Sequence, residues 1–234
     1  MSKNFRSINT LVNYHSDWQK KIHEKGRLDT QKRAYVTFKR LFEQILHRQF
    51  QGNIIDVGSG DGSLVTVLNQ QLKIKTVGID IDQGINFETD RLPFKTGLFD
   101  IAIMNSVIEH LYDPGNLLTE INRILKKNGC LIIITPNFDL SHLIYCDRDF
   151  YDDPTHVHPY FHKSLSHLMR MHNYKQLFLG VWTVNKSSLL WKLPMKLQFF
   201  ICGLLPFYGN NRFAPSFLKG KSRAILAVFE NQRL

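Results

Sequence analysis

A chain of 234 residues, 43% of them hydrophobic and 12% aromatic, can bury one sizeable core but hardly two, which excludes a disordered, collagen-like or multi-core protein. Its three cysteines, Cys130, Cys146 and Cys202, are odd in number and widely spaced, which excludes a disulfide framework or a cysteine zinc site and leaves reduced thiols. The net charge of +10 is uneven, +7 over residues 1–50, −4 over 51–182 and +7 over 183–234; such basic flanks either meet phosphate, anionic lipid or nucleic acid, or serve as a solvated surface.

Met1-Ser2-Lys3-Asn4-Phe5-Arg6 leads into mixed residues without the apolar run of a secretory leader, so a cytoplasmic location is expected. From Asp29 or Thr30 as N-cap, Phe38, Leu41, Phe42, Ile45 and Leu46 recur at helical spacing and predict an amphipathic helix ending near Gln51-Gly52. Asn53 to Val57 is a short β-branched run closed by glycines, hence a buried strand, and Ser63 to Gln70 returns to helical spacing. Thr76 to Asp80 and Phe99 to Met104 predict two further strands. Asp113-Pro114 opens a helix carrying Leu117, Leu118, Ile121, Ile124 and Leu125, and Cys130 to Thr135 is a strand after an Asn128-Gly129 turn. His162 to His172 predicts a helix, Lys175 to Trp182 a strand and Arg223 to Phe229 a last apolar strand. Apolar strands alternating with amphipathic helices predict an α/β fold, a mostly parallel sheet covered on both faces.

In Asp56-Val57-Gly58-Ser59-Gly60-Asp61-Gly62 a strand end runs into a glycine-rich turn and then a helix, so backbone can approach a nucleotide-like ligand without Cβ collision. A dinucleotide-binding turn has the spacing G-x-G-x-x-G and cradles a pyrophosphate; this one has G-x-G-x-G with Asp56 before it and Asp61 inside it. Carboxylates repel a diphosphate and favour a cationic ligand carrying a sulfonium and an ammonium group. Asp80, at the end of the next strand, can accept hydrogen bonds from ribose hydroxyls, a feature that fits NAD equally well.

The run Ile55 to Gly62, then Gly78-Ile79-Asp80, Leu92-Pro93-Phe94, Phe99-Asp100 and Glu109-His110-Leu111, resembles the type 11 family of class I S-adenosylmethionine-dependent methyltransferases over about residues 50–180. The resemblance implies a Rossmann-like seven-stranded sheet of order 3-2-1-4-5-7-6 with the seventh strand antiparallel. It also implies that Gly58, Ser59 and Gly60 approach the methionine part of the cofactor, that Asp80 and Ile81 hold ribose and adenine, and that Asn86 and Phe87 lie beside the adenine. Position 86 is often Asp in the family, and Asn86 can still accept a hydrogen bond through its amide oxygen. Asn105 and Ser106, after the strand ending at Met104, are implied to border the methionine end and the transfer channel.

Residues 1–50 read as a helical cap, 51–182 as the cofactor-binding core, 183–221 as an apolar and basic insertion, and 222–234 as the core's final strand. His156 and His158, on a loop facing the cofactor end of the sheet, are candidate general bases or anchors of the following helix. In some quinone-ring O-methyltransferases of similar sequence, a carboxylate three positions before the Glu joins a Glu-His pair at a metal; here that position is Ser106, and no metal is expected. The insertion, with Leu189 to Pro194 and Leu197 to Phe207, is too short and interrupted to span a bilayer. It reads as an interfacial helix, a cover over a greasy acceptor, or a segment packed on the domain or a second copy. The expected function is methyl transfer to a small molecule, lipid-linked or glycan, with O-methylation favoured. The rivals are an RNA methyltransferase, although Asn105-Ser106-Val107-Ile108 is no Asn-Pro-Pro-Tyr-type base-gripping motif, and a cofactor-binding scaffold without turnover.

Overall fold

The computed structural model describes residues 24–138, 150, 153–184, 193–204 and 221–233. In chain order the principal elements are α1 (Glu24–Gln44), β1 (Ile54–Val57), α2 (Ser63–Thr66, widening into a π-turn over Val67–Gln71), β2 (Thr76–Ile79) and β3 (Phe99–Asn105). There follow α3 (Gly115–Ile124), β4 (Leu125–Pro136), α4 (His162–Met171), β5 (Tyr174–Val184), α5 (Met195–Leu204) and β6 (Lys221–Asn231). Single 3-10 turns stand at Ile81–Gln83 and Ile108–His110.

One sheet runs β2-β1-β3-β4-β6-β5, with β2, β1, β3 and β4 parallel and β6 antiparallel to both β4 and β5. Among the described residues it has six strands against the seven expected; the order is otherwise the same, with no strand beyond β2 among them. The reason lies between β2 and β3, where the chain turns instead of pairing. Asn86 and Asp90 bond to each other's backbone, while Asn116 donates to the Phe87 and Asp90 carbonyls and Arg123 to those of Leu92 and Phe94. Side chains of α3 thus take carbonyls that an added strand would need.

Period-2 alternation divides the core between the two faces. Ile55, Val57, Ala102, Met104, Leu131, Ile133, Ala227 and Phe229 pack with α3 and α4 residues such as Leu117, Ile121, Leu165 and Met169. Ile54, Ile101, Ile103, Ile132, Leu226 and Val228 pack on the other face with Phe38, Leu41 and Phe42 of α1 and Met195 of α5. Helix α1 ends earlier than its apolar spacing predicts, at Gln44. Asn173 ends α4 with φ of +61°, the left-handed conformation that its short amide side chain tolerates. Among the described residues no helix is long and apolar enough to cross a membrane. Of the insertion, 185–192 and 205–220 lie outside the described residues, as does Cys146; Cys130 is a buried free thiol.

Candidate functional site

Strand β1 has β2 on one side and β3 on the other, so the direction of strand succession reverses beside it. At such a switch point the loops leaving the two strands diverge and open a crevice at their carboxyl ends. The glycine turn stands there. Gly58, Gly60 and Gly62 have φ of +75°, +53° and +70°, and a Cβ on Gly58 would lie 2.2 Å from Val107 Cγ2, so neither its conformation nor its space admits a side chain. Gly78 in β2 gives Ser59 its room, since a Cβ there would lie 2.8 Å from that of Ser59.

Three carboxylates surround the turn. Asp56 is buried in β1, and desolvation, followed by the charges of Asp80 and Asp61, pushes its carboxyl from 3.8 up to about 7. Asp80 accepts from Gly60 N through Oδ2 at 2.6 Å and from Ile81 N through Oδ1 at 2.7 Å, which ties the end of β2 to the turn. Each oxygen keeps a second lone pair. Exposed Asp61 accepts from Ser63 N at 3.1 Å, across Gly62 at the start of α2.

The Asn86 amide oxygen accepts from Glu88 N at 3.0 Å, and Phe87 is buried in the apolar cluster with Ile79 and Leu92. Half-buried Ile81 packs against that cluster. Asn105 and Ser106 are exposed at the carboxyl end of β3; Ser106 has φ of +55° and donates its amide to the Ile134 carbonyl at 2.8 Å.

A second constellation lies beside this end of the sheet. The loop 153–160 docks on the 3-10 turn Ile108–His110, with Val157 N and His158 N both donating to the Glu109 carbonyl, at 2.8 and 3.1 Å. Exposed His158 donates from Nε2 to the Tyr112 carbonyl at 3.0 Å, which leaves the lone pair on Nδ1. Half-buried His156 donates from Nδ1 to the Phe150 carbonyl at 2.7 Å, and its Nε2 stands 3.8 Å from Asp153 Oδ2. Glu109 is completely buried. Desolvation pushes its carboxyl up to about 7, while its own backbone amide and then the Thr135 and Ser106 hydroxyls pull the other way. Thr135 bonds Oε2 at 2.9 Å, while Oε1 has no partner among the described residues.

The sequence pairs Glu109 with His110 but does not reveal that His156, 46 positions further on, joins them. One carboxylate oxygen and one ring nitrogen from each histidine lie within 4.8 Å of one another, and the two imidazole centroids are 4.7 Å apart. The available signal was an Asp-x-Thr-His stretch, Asp153 to His156, at the carboxyl end of a parallel sheet. That position alone does not name a partner.

A mostly parallel sheet with this strand order and an acidic glycine turn at its switch point is the architecture of the class I methyltransferase fold. A family described as a methyltransferase domain matches residues 29–177, and the chain belongs to that family of class I S-adenosylmethionine-dependent methyltransferases. It is 30% identical over 115 residues to a malonyl-[acyl-carrier protein] O-methyltransferase of Legionella pneumophila, covering 41% of this chain and 40% of that one. It is 31% identical over 113 residues to a ubiquinone biosynthesis O-methyltransferase of Caulobacter vibrioides, covering 40% and 45%. The matches therefore span less than half the length of these relatives. In fold it is similar to a SAM-dependent methyltransferase of Archaeoglobus fulgidus, with TM-score 0.52 and 16% identity over 86% of this chain and 94% of that one.

Proposed function

We propose that the chain transfers a methyl group from S-adenosylmethionine to a hydroxyl of a small, anionic or lipid-linked acceptor. The observation that carries the cofactor assignment is the pair Asp56 and Asp80 about a turn in which Gly58 admits no Cβ. A diphosphate would meet repulsion there, whereas a cationic sulfur ligand meets compensating charge. Asp80 offers its remaining lone pairs to ribose hydroxyls, Ile81 and Phe87 provide apolar surface for an adenine, and Asn86 presents its amide beside them. Gly58, Ser59 and Gly60 leave backbone beside the methionine portion, with Asp61, Asn105 and Ser106 at its border.

The cofactor supplies a methyl carbon already activated by its sulfonium. What remains for the protein is alignment and exclusion of water. The acceptor oxygen forms the new carbon–oxygen bond as the carbon–sulfur bond breaks, and the acceptor proton leaves to a base. His158 Nδ1 is suited to take it, because the Tyr112 carbonyl fixes the proton on Nε2. His156 is the second candidate on the same loop.

For the acceptor, three features support the reading: relatives named as O-methyltransferases, basic flanks of +7 each, and exposed apolar residues on α5. The test is incubation of the purified chain with methyl-labelled cofactor and separated lipid-linked, glycan and RNA fractions. Label recovered as an ether of a lipid or glycan is expected; label confined to RNA would establish the nucleic-acid reading instead.

A further inference from the structure

We propose that Glu109, His110 and His156 form a binding site for one divalent transition-metal ion. The three donors come from two segments brought together by the fold, the 3-10 turn after β3 and the loop before α4, and their ligand atoms lie within 4.8 Å of one another. Donors about 2.0–2.2 Å from a shared ion stand some 3–4 Å apart, so closure about an ion requires only a small adjustment.

Both histidines are held by neighbours as ligands of a metal are. His156 donates Nδ1–H to the Phe150 carbonyl, which fixes the lone pair on Nε2. The Thr155 hydroxyl donates its single proton to Asp153 at 2.5 Å, so in its 2.8 Å contact with His110 Nδ1 it accepts, and the lone pair of His110 is likewise on Nε2. Two independent second partners thus select the same tautomer.

The remaining observation is the carboxylate. Glu109 is 0% exposed, and its Oε1 has no hydrogen-bond partner among the described residues although its neighbour Oε2 is bonded to Thr135. A buried polar atom without a partner is costly, and a cation among these donors removes the cost. Asp153 Oδ2 stands 3.8 Å from His156 Nε2, so a further carboxylate lies beside the nitrogen that would hold the ion. Two imidazoles and a carboxylate select zinc, iron(II), cobalt(II) or manganese over magnesium and calcium, which prefer an all-oxygen shell.

If the acceptor is a hydroxyl compound, as proposed above, such an ion gives its oxygen an anchor. The site itself is tested without cofactor or acceptor, so its failure and the failure of that reading are distinguishable. The 234-residue chain, stripped with a chelator, is titrated with cobalt(II) and followed by its visible ligand-field bands. One equivalent should bind, without the intense charge-transfer band of a thiolate, and a large excess of magnesium should not displace it. His156→Ala and Glu109→Gln should each weaken uptake by about tenfold or more. Should Glu109→Gln fail to fold, His156→Ala, on a loop, carries the comparison. Absence of stoichiometric uptake by the wild-type chain, or less than a tenfold loss in the folded variants, overturns the proposal.

Discussion

Asp80 Oδ2 accepts from the Gly60 amide at 2.6 Å, joining the end of β2 to the turn that leaves β1. The same side chain therefore shapes the turn and, in the proposed complex, holds the ribose. Asp80→Ala removes both, and loss of charge-assisted hydrogen bonds of this kind costs about 1–3 kcal/mol. Calorimetric titration with S-adenosylhomocysteine should show a correspondingly weaker complex, with Asp80→Asn intermediate. Unchanged affinity in both variants would remove Asp80 from the ribose site.

Gly58→Ala tests the turn from the side of sterics. The new methyl would lie 2.2 Å from Val107 Cγ2 on backbone at φ of +75°. Left-handed strain and overpacking together should cost about 2–4 kcal/mol. Adding Val107→Ala relieves the collision but not the backbone strain, so thermal unfolding of the double variant should recover part of the loss. Full recovery would show that φ contributes nothing.

Asp56 predicts a pH dependence. Its carboxyl titrates at about 7 in the folded chain against an ordinary 3.8, because burial and then the Asp80 and Asp61 charges oppose ionisation. Between these values the unfolded chain has released a proton that the folded chain retains, so stability is full below the lower one, falls as pH rises and levels off above the upper one. A three-unit displacement corresponds to about 4 kcal/mol as an upper bound. Asp56→Asn abolishes this titration, and its urea midpoint should fall less than that of the wild type between about pH 4 and about pH 8. The proposed cofactor runs in the opposite sense, since a cationic ligand binds the ionised carboxylate and its affinity should decline as pH drops below neutrality. Identical pH profiles for the two proteins would relocate the proton.

The residues that were legible in the sequence are those whose spacing is itself the physical cause. Ile54 and Ile55 alternate between the two sheet faces, Leu117, Leu118, Ile121 and Ile124 form one buried helix stripe, and the glycines at 58, 60 and 62 adopt positive φ. Local periodicity carries such information. That residues 87–94 turn and do not pair as an edge strand was not legible, because it depends on Asn116 and Arg123, from a later helix, capturing carbonyls there. Nor was the meeting of Glu109 with His156, which depends on two amides of a later loop finding the Glu109 carbonyl. Asp56 was legible as an acidic flank of the turn, but its complete desolvation appears only once β1 lies between two neighbours.

His158 is predicted to act on the acceptor and not on the cofactor. Its side chain is exposed and tethered through Nε2 to the Tyr112 carbonyl. His158→Ala should lower turnover by about a hundredfold or more if the ring takes the acceptor proton. The affinity for S-adenosylhomocysteine should stay within twofold of wild type, about 0.4 kcal/mol. Equal turnover in a folded variant would return His158 to a role in anchoring the loop.

Helix α5 predicts a surface interaction. One side of it packs on the domain, with Met195 buried and the Phe199 ring 4.6 Å from that of Phe178, while Leu197 and Phe200 remain 42% and 62% exposed. Residues 183–234 carry a charge of +7, and exposed Lys196 stands beside the apolar pair. Apolar side chains rimmed by cations suit the headgroup boundary of an anionic bilayer, where insertion of one phenylalanine contributes about 1.5–3 kcal/mol. Phe200→Ser combined with Leu197→Ser should therefore reduce co-sedimentation with vesicles rich in phosphatidylserine by at least about tenfold in affinity. Binding of the wild-type chain should weaken as salt rises, because the charged contribution is screened within a Debye length. The two serines lie on the helix face away from Phe178, so the melting temperature should change little. Undiminished sedimentation of a stable double variant would assign these side chains to something other than lipid.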